Sequence, residues 1–246
     1  MSFLETVSDW DCAVMTHPGH TRQVNEDAVL SLPADQLWAV ADGMGGYSAG
    51  DIASQAIISE LMALSLGADL TTRTQQLEDC FQAVHQALIS NTKLDSQHNI
   101  MGSTVVAATC VDYQCACLWV GDSRCYVFRE GMLYQISRDH SWLQEMLDSN
   151  ILSAEEAIDH PQRHMITRAI GASDELQVDV VTFEVDSGDI LLLCSDGLYG
   201  ELDVDCICRV LSDKTTACEV KTSQLINAVL ETQARDNVSV TVIQVA

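Results

Sequence analysis

Three apolar runs in this chain stop at an aspartate. Leu37-Trp-Ala-Val-Ala41 leads into Asp42-Gly43, Cys117-Leu-Trp-Val120 into Gly121-Asp122-Ser123, and Ile190-Leu-Leu-Leu-Cys194 into Ser195-Asp196-Gly197. Asp236 stands before Asn237 and a final apolar run, and Asn25-Glu26-Asp27 stands before Ala28-Val-Leu30. Short runs rich in Val, Ile, Leu and aromatics, bounded by Gly, Asp, Ser or Asn, read as buried strands. The predicted strands are Cys12–Thr16, Leu37–Ala41, Thr104–Val111, Cys115–Val120, Cys125–Arg129, Ile190–Cys194 and Val238–Val245, with a hairpin turn at Glu130-Gly131.

Helical spacing of apolar residues predicts helices over Asp51–Leu66, Gln75–Asn91 and Thr222–Ala234. The first has Asp51 as its capping acid and Gly67 as its C-cap. The order is strands, two helices, a run of strands, a helix and a last strand. Regular β-α-β alternation is missing, so antiparallel sheets with helices packed outside fit better than a doubly wound parallel sheet. Ser141–Gly171 reads as an insertion between strands, with a capping box at Ser153-Ala-Glu-Glu156.

A chain of 246 residues buries roughly 70–75% of its unfolded surface and needs no staple. The whole span, 1–246, is expected to be a single domain. The formal charge of −24 disfavours nucleic acid and anionic membranes as partners. No window reaches the length of a membrane span, and Met1–Asp11 lacks a basic and an apolar region, so a cytoplasmic location is expected. The ten cysteines are expected to form neither disulfides nor zinc sites. Cys115/Cys117 and Cys206/Cys208 are C-x-C, and Cys110, Cys125 and Cys194 lie in strand-like runs, where thiols act as small hydrophobes.

An Asp at the end of a buried strand is held rigidly yet reaches a cleft. Several such acids brought together repel one another, and a hard divalent cation relieves the repulsion. A lone Asp-Gly is usually a turn. The repeated strand-end placement points further, to a multi-carboxylate metal site.

The motifs strongly resemble the metal-dependent protein phosphatase family, protein phosphatase 2C, in its compact bacterial form. The matching pieces stand in family order: Arg22 with Asn25-Glu26-Asp27, Ala41-Asp42-Gly43-Met44-Gly45-Gly46, Gly102-Ser103-Thr104, Gly121-Asp122-Ser123-Arg124, Ser195-Asp196-Gly197 and Asp236-Asn237. The resemblance implies an α+β fold, a four-layer αββα sandwich of two antiparallel sheets flanked by helices. It implies hydrolysis of phosphoserine and phosphothreonine in proteins by water activated between two Mn²⁺ or Mg²⁺ ions. Arg22, Asp42 and Asp196 would be the catalytic set, with Arg22 gripping phosphate through its guanidinium fork. Asp42 would bridge two metals, with Asp196 and Asp236 completing the first site. Glu26 and the Gly43 carbonyl would serve the second, partly through water, and Asp27 would bond metal-bound water. Asp122 with Asp196 would hold a third, weaker ion.

The same resemblance makes 141–171 a flap beside the active site, whose His160, Arg163 and His164, with His140 at its edge, are candidates to touch substrate. It implies phosphorylated proteins and a cognate serine/threonine kinase as partners, and a monomer. Many eukaryotic members carry a proposed general-acid His where Met44 stands, and Met cannot donate a proton. No cysteine has the C-x₅-R arrangement of a cysteine phosphatase, and Gly43–Gly50 lacks the G-K-[ST] of a phosphate-binding loop. Two other readings remain: a non-catalytic partner-switching module, and a small-molecule phosphoesterase on the same fold.

Overall fold

A computed structural model describes residues 10–45, 49–94, 101–157, 160–162, 164–213 and 215–246. Its strands are β1 (Asp11–His17), β2 (Asp27–Leu32), β3 (Leu37–Gly45), β4 (Met101–Ser103), β5 (Val105–Val111), β6 (Gln114–Val120), β7 (Arg124–Arg129), β8 (Met132–Gln135), β9 (Asp179–Glu184), β10 (Ile190–Cys194) and β11 (Val238–Gln244). Its helices are α1 (Ala49–Met62), α2 (Leu70–Leu94), α3 (Trp142–Asp148), α4 (Ala154–Ala157), α5 (Asp196–Tyr199), α6 (Val204–Leu211) and α7 (Cys218–Leu230).

The strands form two sheets, ordered β1-β11-β10-β7-β8 and β2-β3-β5-β6-β9, with β4 pairing the far end of β3. The strand pairings are antiparallel. Side-chain alternation sends successive residues to opposite faces, and here both faces are covered. On β3, Leu37, Ala39 and Ala41 pack toward α1 and α2, while Trp38 and Val40 enter the layer between the sheets. On β10, Ile190, Leu192 and Cys194 face α5, α6 and α7, while Leu191 and Leu193 face the other sheet. Double coverage is why these strands read as unbroken apolar runs. The result is the expected four-layer αββα sandwich.

Several boundaries differ from the sequence reading. Helix α1 begins before Asp51, whose carboxylate accepts the Ile52 N–H from inside the helix. It ends at Met62, so Gly67 lies beyond it and is not its C-cap; the Gly67 N–H goes to Gln76 Oε1 instead. The next helix starts at Leu70, where Asp69 accepts the Thr72 N–H. The capping box at Ser153 is present: Glu156 Oε2 accepts the Ser153 N–H and Ser153 Oγ accepts the Glu156 N–H.

One cysteine expectation is overturned. Cys110 and Cys115 stand directly opposite in the β5–β6 register, Cα atoms 4.1 Å apart, and are joined by a disulfide. That is the close spacing of a non-hydrogen-bonded antiparallel pair. The remaining eight cysteines are free thiols, and Cys125 and Cys194 are buried among apolar residues as expected.

The strand packing makes a direct prediction. Leu192→Ala removes a fully buried side chain between β10 and the outer helices, and should lower unfolding stability by about 2–5 kcal/mol in urea titrations. A loss below about 1 kcal/mol would show that this layer is not packed as described.

Candidate active site

The acids converge at one end of the sandwich. A cavity of about 490 Å³ is lined by Arg22, Glu26, Asp42, Gly43, Asp122, Asp196 and Asp236 of the predicted site residues. Met44, Thr104 and His164 line it too. Asp27 alone of the predicted set is not part of this lining. It lies behind the cavity, directly opposite Asp42 in the β2–β3 register.

Backbone contacts explain how residues so distant in sequence meet. The carbonyl of Asp42 accepts Ser103 Oγ–H and Thr104 N–H, each at 2.9 Å, and the Asp42 N–H donates to Thr104 Oγ1. Asp42 therefore has a fixed main chain and a side chain aimed into the cavity. Gly43 lies so close to Gly50 that a Cβ would fall 2.1 Å from the Gly50 carbonyl oxygen. This approach brings the start of α1 against Glu26, whose Oε1 would lie 2.8 Å from a Cβ on Gly50. The Glu26 N–H donates to Asn237 Oδ1, tying β2 to β11. At Gly197 a Cβ would stand 2.0 Å from the Asn237 carbonyl oxygen. Only glycine lets α5 pack that tightly on the start of β11, and the contact places Asp196 beside Asp236.

Two serines that the sequence reading left without a role hold the acid behind the cavity. Ser195 Oγ and Ser239 Oγ both donate to Asp27 Oδ2, at 2.8 and 2.7 Å. Its other oxygen, Oδ1, is buried without a hydrogen-bond partner among the described residues. Burial is the largest cause pushing the Asp27 carboxyl up, to about 7, with Asp196 and Asp236 adding to it against the two serine bonds. Asp42 is pushed well above the carboxylate range by burial first, then by Asp27, Asp196, Asp122 and Asp236. Asp122 rises to about 7 from burial and then Asp196.

Every candidate donor in this set is a hard oxygen, and five carboxylates act on one another across it. Among the described residues, no three acid, histidine or cysteine side chains are gathered tightly enough to enclose an ion alone. Mg²⁺ fits a spread set of this kind, because it keeps several waters and takes only one or two carboxylates. The donors, the mutual repulsion and the unpaired Asp27 oxygen thus fit hard divalent cations.

Two basic side chains stand beside the cluster. Arg22 donates to Asp236 Oδ2 at 2.8 Å, and His164 Nδ1 stands 3.7 Å from Asp196 Oδ2. Of the other flap candidates, His140 accepts the Gly121 N–H and His160 stacks on Trp142, so both serve the local fold. Arg163 lies outside the described residues. Arg235 and Glu201 also line the cavity and were not foreseen; neither sits in a motif that marks it.

Comparison with known proteins identifies the family. The family model for protein phosphatase 2C matches residues 17–238, and the chain belongs to that family. It is 32% identical to the serine/threonine phosphatase stp of Listeria monocytogenes over 239 residues, 93% of each chain. It superposes with a TM-score of 0.88 and 36% identity on PppA, a key regulatory component of T6SS in Pseudomonas aeruginosa, covering 96% of this chain and 98% of that one. It also superposes, with a TM-score of 0.85 and 31% identity over 96% and 98% of the two chains, on the catalytic domain of the phosphatase PstP in complex with two manganese ions. The chain spans 44% of full-length PstP of Mycobacterium tuberculosis.

The raised carboxyls set a pH dependence. Asp27 and Asp122 hold their protons more tightly folded than unfolded, so stability contributed at low pH is lost as pH rises from the ordinary carboxylate range through about 7. In chelator, the melting temperature should fall between pH 5 and pH 8, and Asp27→Asn should shrink that fall. A chelated protein whose stability rises across this window, or an unchanged slope in Asp27→Asn, would contradict the assigned repulsion.

Proposed function

We propose that this chain is a metal-dependent protein serine/threonine phosphatase, hydrolysing phosphoserine and phosphothreonine at the carboxylate-lined cavity. The observation that carries the reading is the convergence of Asp42, Asp122, Asp196 and Asp236 on one cavity, with Asp27 behind Asp42 and Arg22 at its edge. Divalent cations held there would supply the chemistry of an acidified water near neutral pH and of charge stabilisation on the phosphoryl oxygens.

The chain's own residues do the rest. Asp42, held through its main chain by Ser103 and Thr104, would serve as a ligand to both ions. Asp196 and Asp236 would help hold one ion, and Glu26 with the Gly43 carbonyl would help hold the other. Asp27, anchored by two serines, keeps a carboxylate oxygen behind the cluster to accept a proton or a water bond. Asp122 with Asp196 would hold a third, weaker ion. Manganese or magnesium suits this oxygen set.

Arg22 is half-exposed and its pair with Asp236 is solvent-screened, so a phosphate can compete for its fork at small cost. His164 is the one described flap histidine that lines the cavity, and it is placed to contact substrate or leaving group. Met44 lines the cavity as well and has no proton to give. The phosphorylated substrates imply a serine/threonine kinase that makes them. Among the described residues, no helix is long and apolar enough to cross a membrane.

The complete acid set argues against a non-catalytic module. A small-molecule phosphoesterase is separated by comparing phosphopeptides with small phosphate esters in Mn²⁺.

A phosphopeptide assay tests the reading. Activity should require Mn²⁺, vanish with chelator and return when metal is restored. Asp196→Ala should lose more than the ~10–100-fold typical of removing a group that only supports a ligand. Activity that survives chelation would sink the mechanism. Arg22→Ala should raise KM for phosphopeptide by about ten-fold, the loss of one charge-assisted bond, and leave the Mn²⁺ titration midpoint little changed. A weakened metal midpoint with KM unchanged would remove Arg22 from the phosphate site.

A further inference from the structure

A second cavity, of about 300 Å³, lies beside the first, between α3, α4 and α5. The two share Asp122, His164, Asp196 and Gly200, so they adjoin. A peptide with its phosphate in the first would run past the mouth of the second.

Most polar side chains around this second cavity already have partners. Arg124 gives Nε and one terminal nitrogen to Asp139 and the other to the Tyr126 hydroxyl, and its guanidinium lies 3.5 Å from the Tyr199 ring centroid. The Tyr199 hydroxyl donates to the Asp122 carbonyl at 2.9 Å. Ser141 Oγ accepts the Gln144 N–H, and the Gln144 amide donates to Asp148. Asp139 is held by Arg124 and Gln135, and Asp122 and Asp196 are acids the cavity shares with the proposed metal site; the apolar walls beside them are Leu143, Leu147 and Ala157. Leu143 and Leu147 are four residues apart on α3 and share one face.

With Asp122 and Asp196 engaged by the proposed cations, a polar side chain entering this space would shed water and find few open partners. An aliphatic one would bury area against the three apolar walls. Neighbouring residues of an extended peptide advance about 3.3 Å each, so a residue one or two positions from the phosphorylated one reaches the second cavity.

We propose that this cavity is a substrate subsite that takes an aliphatic side chain flanking the phosphoserine or phosphothreonine. The subsite rests on the phosphatase reading above, and it adds selectivity for sequence around the phosphate that no metal ligand supplies. Its effect falls on peptide binding and leaves turnover of a small ester untouched.

The test uses the full chain with saturating Mn²⁺, p-nitrophenyl phosphate, and phosphopeptides that differ only at the residues within two positions of the phosphate: Gly, Leu, Lys or Glu. Leu at one of these positions should raise kcat/KM about ten-fold over Gly, mainly through KM. The double variant Leu143→Ala/Leu147→Ala should lose most of that preference while p-nitrophenyl phosphate turnover is unchanged. Ala157→Leu, which fills the cavity, should lose it too. Equal KM for all four peptides, a preference for Lys or Glu, or a Leu preference that survives both variants would overturn the subsite with the phosphatase reading intact. A wild-type chain that turns over neither ester nor peptide would overturn both.

Discussion

The repulsion among carboxylates at one end of the sandwich is the constraint around which the rest of this structure is arranged. Asp27 and Asp42 face each other across β2 and β3, and Asp122, Asp196 and Asp236 all act on Asp42. Such a cluster disfavours its own folding unless protons or cations answer it. The surrounding scaffold keeps the acids in place all the same. Serines pin Asp27, Ser103 and Thr104 pin the main chain of Asp42, and close contacts at Gly43 and Gly197 join β3 to α1 and α5 to the start of β11. A protein that only needed solubility would spread these charges over its surface.

The sandwich supplies rigidity for this arrangement. Strands β3 and β10 are buried on both faces, and each delivers an aspartate where its apolar run ends. Movement of either acid would require a core strand to shift inside a close-packed interior. The flap side is built differently. Helices α3 and α4 are short, and Leu143 and Leu147 are only partly buried. The chemistry therefore sits on the rigid layers, and the surface that meets the substrate's neighbouring residues sits on the smaller elements.

Much of this was legible in the sequence where one physical pattern dominated. Fully buried strands announced themselves as apolar runs, and the Asp after each marked the site. Other elements carried weaker signals. Strand β9, Asp179-Val-Val-Thr-Phe-Glu184, lies at a sheet edge with acids at both ends and was not foreseen. Helix α6 is short, and its buried contacts are Ile207 and Leu211, too few for a period to stand out. The Cys110–Cys115 pairing depended on strand register, which puts the two residues opposite each other across a hairpin and which spacing alone does not reveal. Ser195 and Ser239 are ordinary residues by type, and their role at Asp27 emerges only when β10 and β11 pair.

The most direct test of the central claim is an anomalous-difference map at the manganese edge from crystals grown with Mn²⁺. The account predicts two strong peaks in the cavity, both within coordination distance of Asp42 and one of them also reached by Asp196 and Asp236, with a third, weaker peak at Asp122 and Asp196. Peaks confined to other surfaces, or a cavity with no anomalous signal in Mn²⁺-saturated crystals, would contradict it.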